Sequence, residues 1–268
     1  MIVHSTTTLT FSESVENHAG MEILGSRGER GEGFSINDLR NVENNINNNK
    51  NNIICEFYDL KDLVIGENDF AESLTEAMIL VIRNGLLHFE CDTNAMINEM
   101  HNKDNVWKWD TKYWDVRRKK VLNKHARANV CFGDNAQEPN YEEKKGTIVS
   151  FESTPLLSKV RAGLPDILGE KARNMLCEGN YYFDVNKCGI GWHGDAERKK
   201  VVGLRLGTTM PLKFRWYNKS KPIGKTLELQ LNSGDIYVMS EKATGYDWRS
   251  SSLWTLRHSA GCEKYTKE

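Results

Sequence analysis

Five short runs between residues 201 and 258 restrict the fold more than anything else in the chain. They are VVGLRLG, PLKFRWY, TLELQL, GDIYVMS and SLWTLRH, punctuated by Gly, Pro, Asn and Ser. Branched and aromatic residues in such runs describe strands, and strands at even spacing describe an antiparallel sandwich or jelly roll. Upstream, IICEFYDL has a strand's residues, whereas SLTEAMILVIRNGLL (73–87) spaces its apolar residues as a helix does. PLLSKVRAGLPDILGEKARNML (155–176) is also predicted mostly helical, with a break at Pro165. The expected class is mainly β with flanking helices (α+β).

The run NVENNINNNKNN (41–52) is nearly pure asparagine and cannot bury apolar area, so it reads as a linker. The glycine-rich stretch before it makes residues 1–52 a loop-rich N-terminal segment. Net charge is -1, from 36 Lys and Arg against 37 Asp and Glu. That balance excludes a uniformly basic nucleic-acid coat and an acidic tail, while leaving room for a local basic patch. No apolar run approaches the roughly 18 residues of a membrane span, and MIVHSTTTLT lacks a leader's pattern. The expectation is a soluble intracellular protein without membrane contact. Cysteines 55, 91, 131, 177, 188 and 262 form no CxxC pair, which argues for reduced thiols over a zinc site.

Chemistry concentrates in GNYYFDVNKCGIGWHGDAERKKVVGLRLG (179–207). His193-Gly194-Asp195 sets an imidazole and a carboxylate two residues apart, which in a strand puts both on one face. Glycine between them allows a bend and the close approach of a ligand. A short H-x-D alone also describes an exposed turn. His258 strengthens the pattern: of the seven histidines, only it and His193 lie in the strand-rich C-terminal part. Two histidines and one carboxylate, with other positions open, form the facial triad of non-haem Fe(II) oxygenases; zinc stays open on geometry.

Several words around the triad resemble those of one family. ARANVCFGD (126–134) is similar to an early strand ending aromatic-Gly-Asp, and Asn180-Tyr181-Tyr182 to an Asn-x-Tyr word. GIGWHGDAE (189–197), VVGLRLGTTMPLKFRW (201–216) and SGDIYVMS (233–240) follow in matching order. Residues 125–268 thus resemble the AlkB-like Fe(II)/2-oxoglutarate-dependent dioxygenases, in which such arrangements are expected from large DNA viruses and protists. The resemblance implies a double-stranded β-helix (jelly-roll) core at 125–268 and an accessory or substrate-recognition region at 53–124. It implies Fe(II) held by His193, Asp195 and His258, with 2-oxoglutarate and O2 as cosubstrates and Asn180 and Tyr182 touching 2-oxoglutarate. The reaction implied is hydroxylation coupled to oxidative decarboxylation of the keto acid, with loss of formaldehyde when the target is an N-methyl group.

The chain departs from the family pattern in three places. Asn180 and His193 are 13 residues apart, the aromatic-x-His signature is missing at Trp248-Arg249, and no arginine follows His258. A buried carboxylate still needs a partner. The candidates are Arg205, Lys264 and Lys267, with Arg205 favoured for its bidentate geometry. Arg257 is expected on the opposite face from His258, in a structural or substrate-side role.

Arg117, Arg118, Lys119, Lys120, Lys124, His125 and Arg127 form the strongest basic cluster, with Trp107, Trp109, Tyr113 and Trp114 upstream. Basic groups for phosphates beside rings for bases suit single-stranded or flipped-base DNA or RNA. The same residues also describe a solvated face with aromatic packing behind it. Oxidative demethylation or hydroxylation of a nucleic-acid base is the first reading. A hydroxylase of a protein side chain or small molecule is the second, and a jelly-roll binding module the third.

Overall fold

All five C-terminal runs become strands, and they divide between two facing sheets. The computed structural model describes residues 4–46, 52–66 and 74–267. The chain begins with β1 (Thr6–Ser12), β2 (Ser14–Glu16), β3 (Ile23–Gly25), α1 (Ile36–Ile46), β4 (Ile54–Asp59) and β5 (Met78–Arg83). Then come α2 (Thr93–His101), β6 (Lys112–Asp115), β7 (Lys120–Asn123), β8 (Ala128–Gly133), β9 (Ile148–Ser150) and α3 (Pro155–Leu168). The remainder is β10 (Leu176–Tyr182), β11 (Gly189–His193), β12 (Val201–Gly207), β13 (Met210–Asn218), β14 (Lys221–Leu231), β15 (Ile236–Met239), β16 (Thr255–Gly261) and α4 (Glu263–Thr266). No helix among the described residues is long and apolar enough to cross a membrane.

The larger sheet runs β4-β5-β15-β12-β1-β10-β8-β9 and the smaller β11-β16-β13-β14. Alternation along each strand gives the larger sheet two different faces. Its outer face carries Leu9, Phe11, Leu80, Ile82, Phe132 and Leu204, which pack with Leu39 of α1 and Leu157, Val160 and Leu164 of α3. Its inner face carries Ile79, Val81, Val201 and Met239, which meet Leu212, Phe214, Trp216 and Leu256 of the smaller sheet. The protein is therefore mainly β, with α1, α2 and α3 against the outer face of the larger sheet and the short α4 beside β11 and β16 of the smaller one.

The N-terminal segment departs most from expectation. Residues 1–52 read as loop-rich, yet β1 lies in the middle of the larger sheet, hydrogen-bonded to β10 on one side and β12 on the other. TTTLTFS is buried along its whole length. Thr6, Thr8 and Thr10 share the inner face while Leu9 and Phe11 share the outer one, and β-branched threonine suits an extended strand. Within the asparagine tract, residues 41–46 continue α1, whose Leu39, Val42 and Ile46 are buried; residues 47–51 lie outside the described residues.

Two further expectations change. The run 73–87 holds strand β5 and not a helix, because its continuous apolar core, MILVI, is buried on both faces between β4 and β15. A fully buried strand has no polar alternation to distinguish it from a helix. Residues 53–124 accordingly supply two strands of the same sheet and are not wholly accessory. In α3, helix continues through Pro165 to Leu168 and stops at Gly169. Burial of Leu164, Ile167 and Leu168 on both sides of the proline holds that turn in place.

Candidate metal centre between the two sheets

His193 ends β11 and stands directly opposite His258 of β16 in an antiparallel ladder. This pairing puts their ring centroids 4.3 Å apart. Asp195 completes the group: its carboxylate oxygens lie 3.8 Å from His193 Nε2 and 3.7 Å from His258 Nε2. One donor atom from each residue lies within 4.8 Å of the others. These separations exceed hydrogen bonds and match three donors converging on one ion, whose ligands stand roughly 3–4 Å apart.

Asp195 gets there by a turn, because β11 ends at His193 and the two residues are not alternating strand positions. The Asp195 N–H donates to the Thr244 carbonyl at 2.9 Å. A Cβ at Gly194 would lie 2.2 Å from the Gly245 carbonyl oxygen and 2.8 Å from Trp248. Glycine is required there by the neighbouring chain, where the sequence suggested room for a ligand.

Tautomer and charge also suit metal binding. His193 Nδ1 lies 2.8 Å from the Gly191 carbonyl, which can only accept, so Nδ1 carries the hydrogen and Nε2 keeps its lone pair. Burial, reinforced by His193 and Arg198, holds His258 well below the usual histidine range and therefore neutral. Arg198 is itself buried, paired with Glu178 at 2.7 Å and Glu197 at 2.8 Å. The residues present fit a metal ion.

Around the triad lies a cavity of about 430 Å³. Its wall on the larger sheet follows one row after another: Asn180 opposite Thr8 opposite Arg205, then Glu178 opposite Thr10 opposite Gly203. Tyr237 lies over Gly203, where a Cβ would come 2.1 Å from the ring. Arg205 is 1 % exposed, and its Nε and Nη1 have no partner. Burial lowers its pKa, opposed by Tyr237 and Tyr182. A buried guanidinium aimed into a cavity calls for an anion.

The other expected contacts divide. Tyr182 is buried and lines the cavity. Asn180 lines it too, but its amide oxygen already accepts from Arg127 Nε and Asn129 Nδ2, both at 2.6 Å, and its Nδ2 donates to Glu178. Lys264 does not reach the site: it is exposed on α4, away from the cavity lining, with its ammonium over Tyr265. Lys267 is also exposed; the four residues of α4 turn the chain end to the surface. Arg257 stacks on Tyr217 at 4.1 Å, as its place opposite His258 required.

The basic cluster splits as well. Arg127 lines the cavity, and Lys124 is half-buried, donating to Asn17 and Asn129. Arg117, Arg118, Lys119 and Lys120 are exposed around the β6–β7 turn and do not line the cavity. Trp107 and Trp109 pack against Phe132 and Tyr181 and are core rings, whereas Tyr113 stacks on His18 at 3.7 Å. Glu16, Asn17 and His18, from the segment expected to be loop-rich, line the cavity. The alternating TTTLTF could have exposed β1; nothing in a single sequence could have placed Glu16 beside the triad.

No family model matches the chain. It is 40% identical over 265 residues, 99% of each chain, to the uncharacterized protein R156 of Acanthamoeba polyphaga mimivirus.

Proposed function

The chain belongs to one family with that mimivirus protein, and we propose that it is an Fe(II)- and 2-oxoglutarate-dependent dioxygenase. The observation that carries this is the pairing, across one cavity, of a His-Asp-His facial triad with a buried guanidinium that lacks a partner. Two histidines and a carboxylate leave positions open for a chelating cosubstrate, which a closed structural zinc site does not.

Strand order supports a jelly-roll core. From β10 onward the chain runs between the sheets, with β11, β13, β14 and β16 in the smaller and β10, β12 and β15 in the larger. An eight-stranded jelly roll needs one more strand in the larger sheet, between β10 and β12, and β1 fills that place. In this reading β1, from the N-terminal segment, is the eighth strand of the barrel. The buried, unpartnered Arg205 supports its taking the role of the cation that pairs with the cosubstrate.

Fe(II), held by His193, Asp195 and His258, would supply activation of O2 coupled to conversion of 2-oxoglutarate to succinate and hydroxylation of a C–H bond. Arg205 would pair with the far carboxylate of 2-oxoglutarate, with Thr8 opposite it and Tyr182 nearby, and their burial excludes water from that ion pair. The Gly191 carbonyl fixes the His193 tautomer, and the neutral His258 presents a lone pair without first losing a proton.

On the substrate side, we favour a nucleic-acid base. Arg127 stands on the cavity wall, and the β6–β7 hairpin, with four consecutive cations about its turn, packs Tyr113 against His18 of the same wall. Exposed cations on a hairpin joined to the cavity wall would suit contact with phosphates.

The test is succinate formation from 2-oxoglutarate with Fe(II) under air, repeated with His193→Ala. Metal-dependent turnover lost in the variant is expected; turnover that survives it sinks the triad. Affinity for single-stranded oligonucleotides should fall with salt, and formaldehyde should appear from methylated ones. Salt-independent affinity would shift the reading to a protein or small-molecule substrate.

A further inference from the structure

The ladder that holds the two imidazoles ends in a second chemical feature. Gly189 and Gly261 are cross-strand partners, so the next residues outward are Cys188 and Cys262. Their backbones stay joined, with the Cys262 N–H donating to the Cys188 carbonyl at 3.0 Å. Residues opposite each other in an antiparallel pair have Cα atoms roughly 4.5–5.5 Å apart, inside the range that a disulfide spans. Both are free thiols, Cys188 buried and Cys262 half-exposed beside a surface pocket. We propose that Cys188 and Cys262 form an oxidative modification site, in which a peroxide converts the two thiols to a disulfide.

The chemistry follows from their unequal exposure. Cys262 is reached first: its sulfur attacks the peroxide O–O bond, giving a sulfenic acid and releasing water. Cys188 then attacks that sulfur; the S–S bond forms, the S–O bond breaks, and a second water leaves with the Cys188 proton.

A second thiol pair shows why proximity alone is insufficient. Cys131 and Cys177 sit on adjacent strands and interact electrostatically, but Cys177 is in register with Phe132 and Cys131 with Glu178. They therefore point to opposite faces of the sheet and cannot be bridged. The inference does not depend on the oxygenase reading.

The experiment treats the full-length reduced protein with hydrogen peroxide in a metal chelator, then maps peptides without reduction. The expected product joins the Cys188 and Cys262 peptides with loss of two hydrogen atoms, and raises the thermal midpoint by closing a long loop. Cys262→Ser should abolish both changes and leave Cys188 unmodified. A link to any other cysteine, over-oxidation of Cys262 without a link, or a link that survives Cys262→Ser would overturn the proposal. Cys262→Ser, at a half-exposed position, keeps the test open even if Cys188→Ser fails to fold.

Discussion

Thr8 of the N-terminal strand stands in direct register with Arg205 of β12, and on its other side with Asn180 of β10. One residue from near the start of the chain thus separates the two arms of the cavity wall. The cavity cannot exist without β1, because β10 and β12 would otherwise be two unpaired edges.

Phe11, fully buried on the outer face of β1, measures how far that strand belongs to the core. Phe11→Ala should cost about 3–5 kcal/mol in urea unfolding, as for any core phenylalanine. A loss below about 0.5 kcal/mol, the value for a surface segment, would mean that β1 is dispensable.

Arg205 sets binding against stability. With two nitrogens buried and unpartnered, it should destabilise the ligand-free fold. Arg205→Leu is expected to stabilise that form by roughly 1–3 kcal/mol while weakening 2-oxoglutarate roughly 10–100-fold. Thermal midpoints with and without 2-oxoglutarate read both effects; an unchanged response to the keto acid would remove Arg205 from the site.

Arg198 is the opposite case, a buried charge with its partners in place. Arg198→Met leaves Glu178, 7 % exposed, without its cation and should cost about 3–5 kcal/mol. Adding Glu178→Gln should restore a large part of that loss. Strictly additive effects in the double variant would refute the pairing.

Glu16 carries a pH signature. Burial raises its carboxyl to about 7, against an ordinary 4.5, with Glu197 and Glu178 adding to the rise. The folded protein therefore holds this proton more tightly than the unfolded chain. The resulting stability is complete below pH 4.5 and is lost as pH climbs to about 7. Glu16→Gln should flatten that decline. His18 and His101, both pushed down to about 4 by burial, slope the other way, gaining stability from pH 4 to 6.5. Unfolding free energies of wild type and variant at matched pH values isolate the Glu16 contribution; parallel curves would contradict its burial.

The triad residues and the strands carrying them were legible because their signals are local. H-x-D is two residues wide, and an antiparallel strand announces itself through its own alternation, as MPLKFRWYN does with every second residue buried. Arg205 was legible as a basic residue one strand beyond the motif. Lys264 was misplaced because nearness in sequence to His258 does not survive the turn into α4.

By itself, then, the sequence determined a β-rich chain, the His-Asp-His group and a choice of cations. Only the tertiary structure decided which cation is buried, that TTTLTFS is a central strand, and that Glu16 and His18 line the same cavity as the triad. The reason is physical. Periodicity and short motifs report what one segment does with its own faces, whereas burial, register and an unpaired guanidinium are created when distant segments pack. β1 and β12, nearly 200 residues apart, meet only in the folded sheet.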